Sequence, residues 1–121
     1  MTLTNNQIYE YATALASSFQ DNTQRLPVKV NFYLQKNKST LISLAQAIEE
    51  ARMEIIRNYG VLLENGSYNV PKENIEIAQK ELADLFSLEQ EVTIYKVNID
   101  SFPEDISFTT GQMEALMFMI E

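Results

Sequence analysis

This 121-residue chain contains no histidine and no cysteine. The commonest general base, thiolate nucleophiles, zinc–thiolate sites and disulfides are therefore removed together. Acid–base chemistry is left to seventeen carboxylates, the lysines and the tyrosines. Glu50 and Glu54 stand four apart, a spacing that puts both on one helical face, but Arg52 follows Glu49 by three and Arg57 follows Glu54 by three. Such intervals predict ion pairs on a solvated face rather than a catalytic pair. Asp100, Glu104 and Asp105 offer oxygen ligands to a hard cation, without the alternating acids, central glycine and terminal glutamate of a calcium loop. Gly60, Gly66 and Gly111 are scattered singly, so no phosphate loop can be assembled, and no serine lies in a G-x-S-x-G elbow. The expectation is a protein that is not an enzyme and holds neither cofactor nor metal.

Two other groups invite a binding role. Lys29, Tyr33 and Lys36 fall on one side of a predicted helix, with Arg25 just upstream; two ammonium groups and a ring suit a phosphate and a stacked base. The same residues also suit the flank of a helix seam, where lysines set partner choice and Tyr33 packs on a neighbour. Asn37 is the one polar member of a heptad seam that runs Val30, Leu34, Asn37, Leu41, Leu44, Ile48, Ala51 and Ile55. A lone asparagine in such a seam often fixes register and copy number.

The elements that must position these groups follow from periodicity. Thr4 with Gln7 forms a capping box ahead of Ile8, Ala12, Leu15 and Phe19, predicting a helix over about 5–20. Pro27 suits a helix start and Gly60 a left-handed helix end, so one long helix is expected over about 28–59. At 1.5 Å per residue it spans about 48 Å, too long for the first helix alone to cover. Asn65-Gly66 predicts a tight hairpin over about 61–70, with positive φ at both turn residues. A helix over about 71–87 follows Pro71, and a strand over about 91–99 is expected to pair with the hairpin. Thr109 with Gln112 starts a last helix over about 110–121, whose Met113, Met117, Met119 and Phe118 read as core. The expected fold is α+β: a helical hairpin with one long helix, a small antiparallel sheet and two further helices, in a single domain over 1–121.

The net charge of -8 is divided unevenly: residues 1 to 48 carry +2 and the rest -10. Bulk nucleic acid and anionic membrane need a cationic footprint and are not expected as partners. No apolar run of membrane-spanning length occurs, and the first residues lack the cationic flank and apolar stretch of a secretion signal. A cytoplasmic protein is expected.

The long helix, the turn Glu64-Asn65-Gly66-Ser67-Tyr68, the helix end Glu81-Leu82-Ala83-Asp84-Leu85 and the strand opening Glu91-Val92-Thr93-Ile94 form a suggestive order. Over about residues 28 to 99 it resembles small uncharacterised accessory proteins of tailed phages and prophages. The resemblance implies a phage accessory protein in the host cytoplasm and carries no catalytic residues with it. Together with the seam and the charge division, it leads to stoichiometric protein binding, in particle assembly or in blocking a host defence component. Self-association would run through Leu34, Asn37, Leu41, Leu44, Ile48, Ala51 and Ile55. Glu89, Glu91, Asp100, Glu104 and Asp105 would face a basic partner, such as a nucleic-acid-binding host protein. The alternative is a sponge for a nucleotide signal at an oligomer interface, using Arg25, Lys29, Tyr33 and Lys36.

Overall fold

Both capping boxes form as the sequence dictates. In the computed structural model, which describes residues 1–19, 26–103 and 107–121, Thr4 Oγ1 accepts the Gln7 N–H at 3.1 Å while Gln7 Oε1 accepts the Thr4 N–H at 2.9 Å. They open α1 (Asn5–Ser18), which buries Ile8, Ala12 and Leu15 at 3-4 spacing and closes with the Phe19 N–H on the Leu15 carbonyl. Helix α2 (Val28–Tyr59) begins after Pro27, whose missing N–H costs nothing at that position. Its seam turns inward: Val30, Leu34, Asn37, Leu41 and Ile48 are buried. Each large apolar side chain so covered contributes roughly 1.5–3 kcal/mol of transfer free energy. The Thr109 and Gln112 box opens α4 (Thr110–Leu116), which continues as a 3-10 turn over Met117–Met119. Gln112 Nε2 also donates to the Ser18 carbonyl at 3.1 Å, and Tyr11 stacks on Phe118 at 4.7 Å. The last helix is thus fastened to the first.

The α+β reading stands, with one long helix, a hairpin and two further helices. Strand pairing differs from the expectation. Among the described residues there are two separate two-stranded antiparallel sheets: β2 (Val61–Leu62) with β3 (Tyr68–Asn69), and β1 (Thr2–Thr4) with β4 (Glu89–Glu91). The expected strand over 91–99 does not join the hairpin. Past Val92, whose N–H still bonds the Met1 carbonyl at 2.8 Å, it leaves the ladder and crosses α2 as an extended strap, with Val92 and Val97 buried and Val97 bridging Ile120. The physical reason is Asn37. Its Nδ2 donates to the Tyr95 carbonyl at 2.8 Å and its Oδ1 accepts the Tyr95 N–H at 2.9 Å, so a side-chain amide serves the strap as a neighbouring strand would.

Two turn assignments also change. Gly66 alone adopts positive φ, at +86°, and the connection has three residues, Glu64 to Gly66, closed by the Leu63 N–H on the Ser67 carbonyl. This matches a hairpin whose last loop residue is a left-handed glycine rather than the two-residue form. Gly60 is extended, at φ -104°, so it is not a left-handed cap. Glycine is required there by close approach, since a Cβ would stand 2.6 Å from the Ile56 carbonyl oxygen.

Beyond the hairpin, α3 (Lys72–Ser87) returns along the distal half of α2. Its C-terminal end is anchored on α1: Asn5 Nδ2 donates to the Leu85 carbonyl at 2.8 Å, and Phe86 meets Tyr9 edge-on at 6.0 Å. Its N-terminal end rests on α2 through Asn74 Nδ2 on the Tyr59 carbonyl at 3.1 Å, and the Tyr59 phenol bonds Glu81. Of α3 only Ala78 is buried.

Candidate protein-interaction surface

The residues expected to mediate self-association divide into two groups. Leu34, Asn37, Leu41 and Ile48 lie in the chain's own core, covered by α1, the strap and the end of α4. Asn37 finds its polar match within the chain, on Tyr95, so it needs none from a second copy. Leu44, Ala51 and Ile55 remain half-buried. The seam's first half is therefore an internal packing face.

The cationic–aromatic group is assembled in part. Lys29 stands over the Tyr33 ring at 5.6 Å and Lys36 over the Phe32 ring at 5.7 Å, while Tyr33 stacks on Tyr95 at 5.1 Å and 28°. Arg25 lies outside the described residues. A base stacking on Tyr33 would compete with Tyr95 and Lys29, so the ring is not an open platform. Tyr95 was not legible as a member, because nothing in its local pattern says that Asn37 holds its backbone beneath Tyr33.

The acidic residues are spread over several elements. Glu89 and Glu91 are exposed on β4 and Asp100 on a 3-10 turn (Ile99–Ser101), whereas Glu104 and Asp105 lie outside the described residues. Glu91 is occupied within the chain: the Thr2 hydroxyl bonds its carboxylate and the Met1 amino group stands 3.6 Å away. These two influences hold its pKa below the usual carboxylate value, the hydroxyl bond more than the amine. On α2, Arg52 Nε and Nη2 bond Glu49 at 2.8 and 2.6 Å, so the ion pair the spacing predicts forms and is bidentate. Glu54 and Arg57 form no ion pair among the described residues.

A surface that residue-by-residue reading missed lies at the far end of α2. There α2 past Ile48, the hairpin and the start of α3 form a two-helix arm with little beneath it. Leu62 is 60% exposed, Val61 56% and Ile77 47%, and Leu63 and Ile75 are also exposed. Carboxylates stud the same surface, and residues 49 to 91 hold ten of them against four cations. The hairpin's Val61-Leu62-Leu63 run was the available signal, since a two-stranded ribbon cannot bury both faces.

No helix among the described residues is long and apolar enough to cross a membrane. No protein-family model, curated protein or solved structure matches this chain.

Proposed function

We propose that this protein acts by occupying another protein stoichiometrically, without turnover, as a phage accessory protein in the host cytoplasm would. The observation that carries the reading is the arm: Val61, Leu62 and Leu63 of the hairpin and Ile75 and Ile77 of α3 are each exposed, with Glu64, Glu73 and Glu76 among them in the chain. Apolar side chains ringed by polar ones are the anatomy of a protein-binding patch. The carboxylates select a basic partner and speed its approach, so affinity should fall as salt rises. Inhibition of a nucleic-acid-binding host protein fits this chemistry better than assembly on an acidic one.

The test is a photo-crosslinking residue at Leu62, with one at Glu10 as control, followed by titration of the purified captured protein. Support is saturation at a fixed molar ratio, weakening with salt, and at least a tenfold loss with Leu62→Glu or Ile77→Glu. A partner that binds both variants as tightly as the parent removes the arm from the account. The nucleotide-sponge reading has a narrower base, the Lys29 and Lys36 ammonium groups beside Tyr33 and Phe32. It predicts a thermal shift of several degrees with one nucleotide, abolished by Lys29→Ala with Lys36→Ala.

A further inference from the structure

The outer face of α2, opposite the buried seam, is exposed along its length; its exposed charges are Lys29 and Lys36 on the first half and Glu50 and Glu54, followed by Arg57, on the second. Reading along it, Phe32 and Lys36 precede Ser43, and Glu50 and Glu54 follow. The spacing is symmetric: Lys36 and Glu50 each lie seven residues from Ser43, and Phe32 and Glu54 each lie eleven. Seven residues is about two turns and eleven about three, so all five share one stripe. Phe32 is 53% exposed, and the neighbouring Val28 is 88% exposed. Among the described residues, no ion pair uses Lys36, Glu50 or Glu54. The lysine rests on an aromatic ring instead.

We infer that this face binds a second copy of the chain, α2 against α2, antiparallel about a two-fold axis at Ser43. A reversed copy sets Lys36 opposite the second copy's Glu50 and repeats the pairing at the other end. A ligand of one sign would be attracted at one end of the stripe and repelled at the other, whereas a reversed copy matches both ends. The helix termini agree. The first turn of α2 has no acidic residue, although a helix N-terminus favours negative charge. The reversed copy brings its Glu54 toward Phe32 near that end. Phe32 and Val28 supply apolar contact, and the charges supply register and specificity more than affinity. The contact is isologous and closes at two copies. It is separate from the arm and does not depend on the arm's having a partner.

Light scattering at tens of micromolar in low salt should give twice the chain mass. Lys36→Glu and Glu50→Lys should each weaken the dimer at least tenfold, and the double reversal should restore it. Because the chain has no cysteine, Ser43→Cys is a clean second probe: oxidation should link two copies through it, while Glu10→Cys should stay unlinked. All these positions are exposed or half-exposed, and circular dichroism checks that the fold is kept. A monomeric parent, a dimer indifferent to both single reversals, a double reversal that fails to restore it, or an unlinked Ser43→Cys dimer would overturn the inference. A dimer abolished by Ile77→Glu but not by Lys36→Glu would place self-association on the arm and also overturn it. Loss of partner binding in the arm variants with the dimer intact would leave it standing.

Discussion

Asn37 commits both ends of its amide to one residue, Tyr95, at 2.8 and 2.9 Å, in a fully buried position. Removing it leaves a backbone N–H and a carbonyl without their partners and opens a cavity beside Leu34 and Leu41. Asn37→Ala should therefore cost about 2–4 kcal/mol, read from urea denaturation. It should also weaken the tyrosine near-ultraviolet circular dichroism, because the strap no longer holds Tyr95 against Tyr33. At the surface the stakes are lower. The Arg52 hydrogen bond, helped by the guanidinium charge, holds the Glu49 carboxyl below its ordinary pKa, against the opposing effect of burial. A depressed folded pKa means stability that is present above the unfolded value, about 4.3, and lost as pH falls through the folded one. Glu49→Gln should cost at most about 0.5 kcal/mol at pH 7 for so exposed a pair. The gap between variant and parent should close in acid, which denaturation midpoints at pH 7 and pH 3 will show.

Element by element, legibility tracked how local the cause was. The capping boxes at Thr4 and Thr109 and the heptad seam of α2 are local, and they placed the helix starts and the long helix. The pairing of Thr2–Thr4 with Glu89–Glu91 was invisible: both segments are three residues long, Glu89-Gln90-Glu91 is wholly polar, and Leu3 is a single apolar residue between two threonines. The strap could not be told from a strand, since an extended apolar segment reads alike whether its backbone meets another strand or a side chain 58 residues earlier. That four of the residues expected to self-associate, Leu34, Asn37, Leu41 and Ile48, are taken up by the chain's own core was illegible for a related reason. A seam reports that a face is buried, not by which chain. Glycine chemistry was half legible. Gly66 does need positive φ, and Gly66→Ala should cost about 1–2 kcal/mol. Gly60→Ala should cost about 1–3 kcal/mol through the clash with the Ile56 carbonyl, lowering the melting temperature by several degrees.

Across the whole molecule, stability is distributed unevenly. The buried cluster joins α1, the first two-thirds of α2, the strap and α4, whereas α3 contributes only Ala78 to the buried set. Native-state hydrogen exchange should show amides of the hairpin and the start of α3 opening at clearly lower free energy than those of Ile8 to Leu15 or Leu34 to Leu41. Equal protection throughout would mean that the arm is stiffened by contacts beyond those described. A loosely held binding end on a firm body suits a surface that must adapt to its partner, at an entropic cost on docking.

The strap sets an order of events at the ribosome. Val30, Leu34 and Leu41 are synthesised well before Val92, Val97 and Met119, which lie in the same buried cluster. At ordinary elongation rates of about 5–20 residues per second, the part of the inward side of α2 that α1 does not cover stays open for several seconds. Through that interval the nascent chain presents a partly covered amphipathic rod, which a chaperone or a neighbouring nascent copy can meet before the strap and the last helix do.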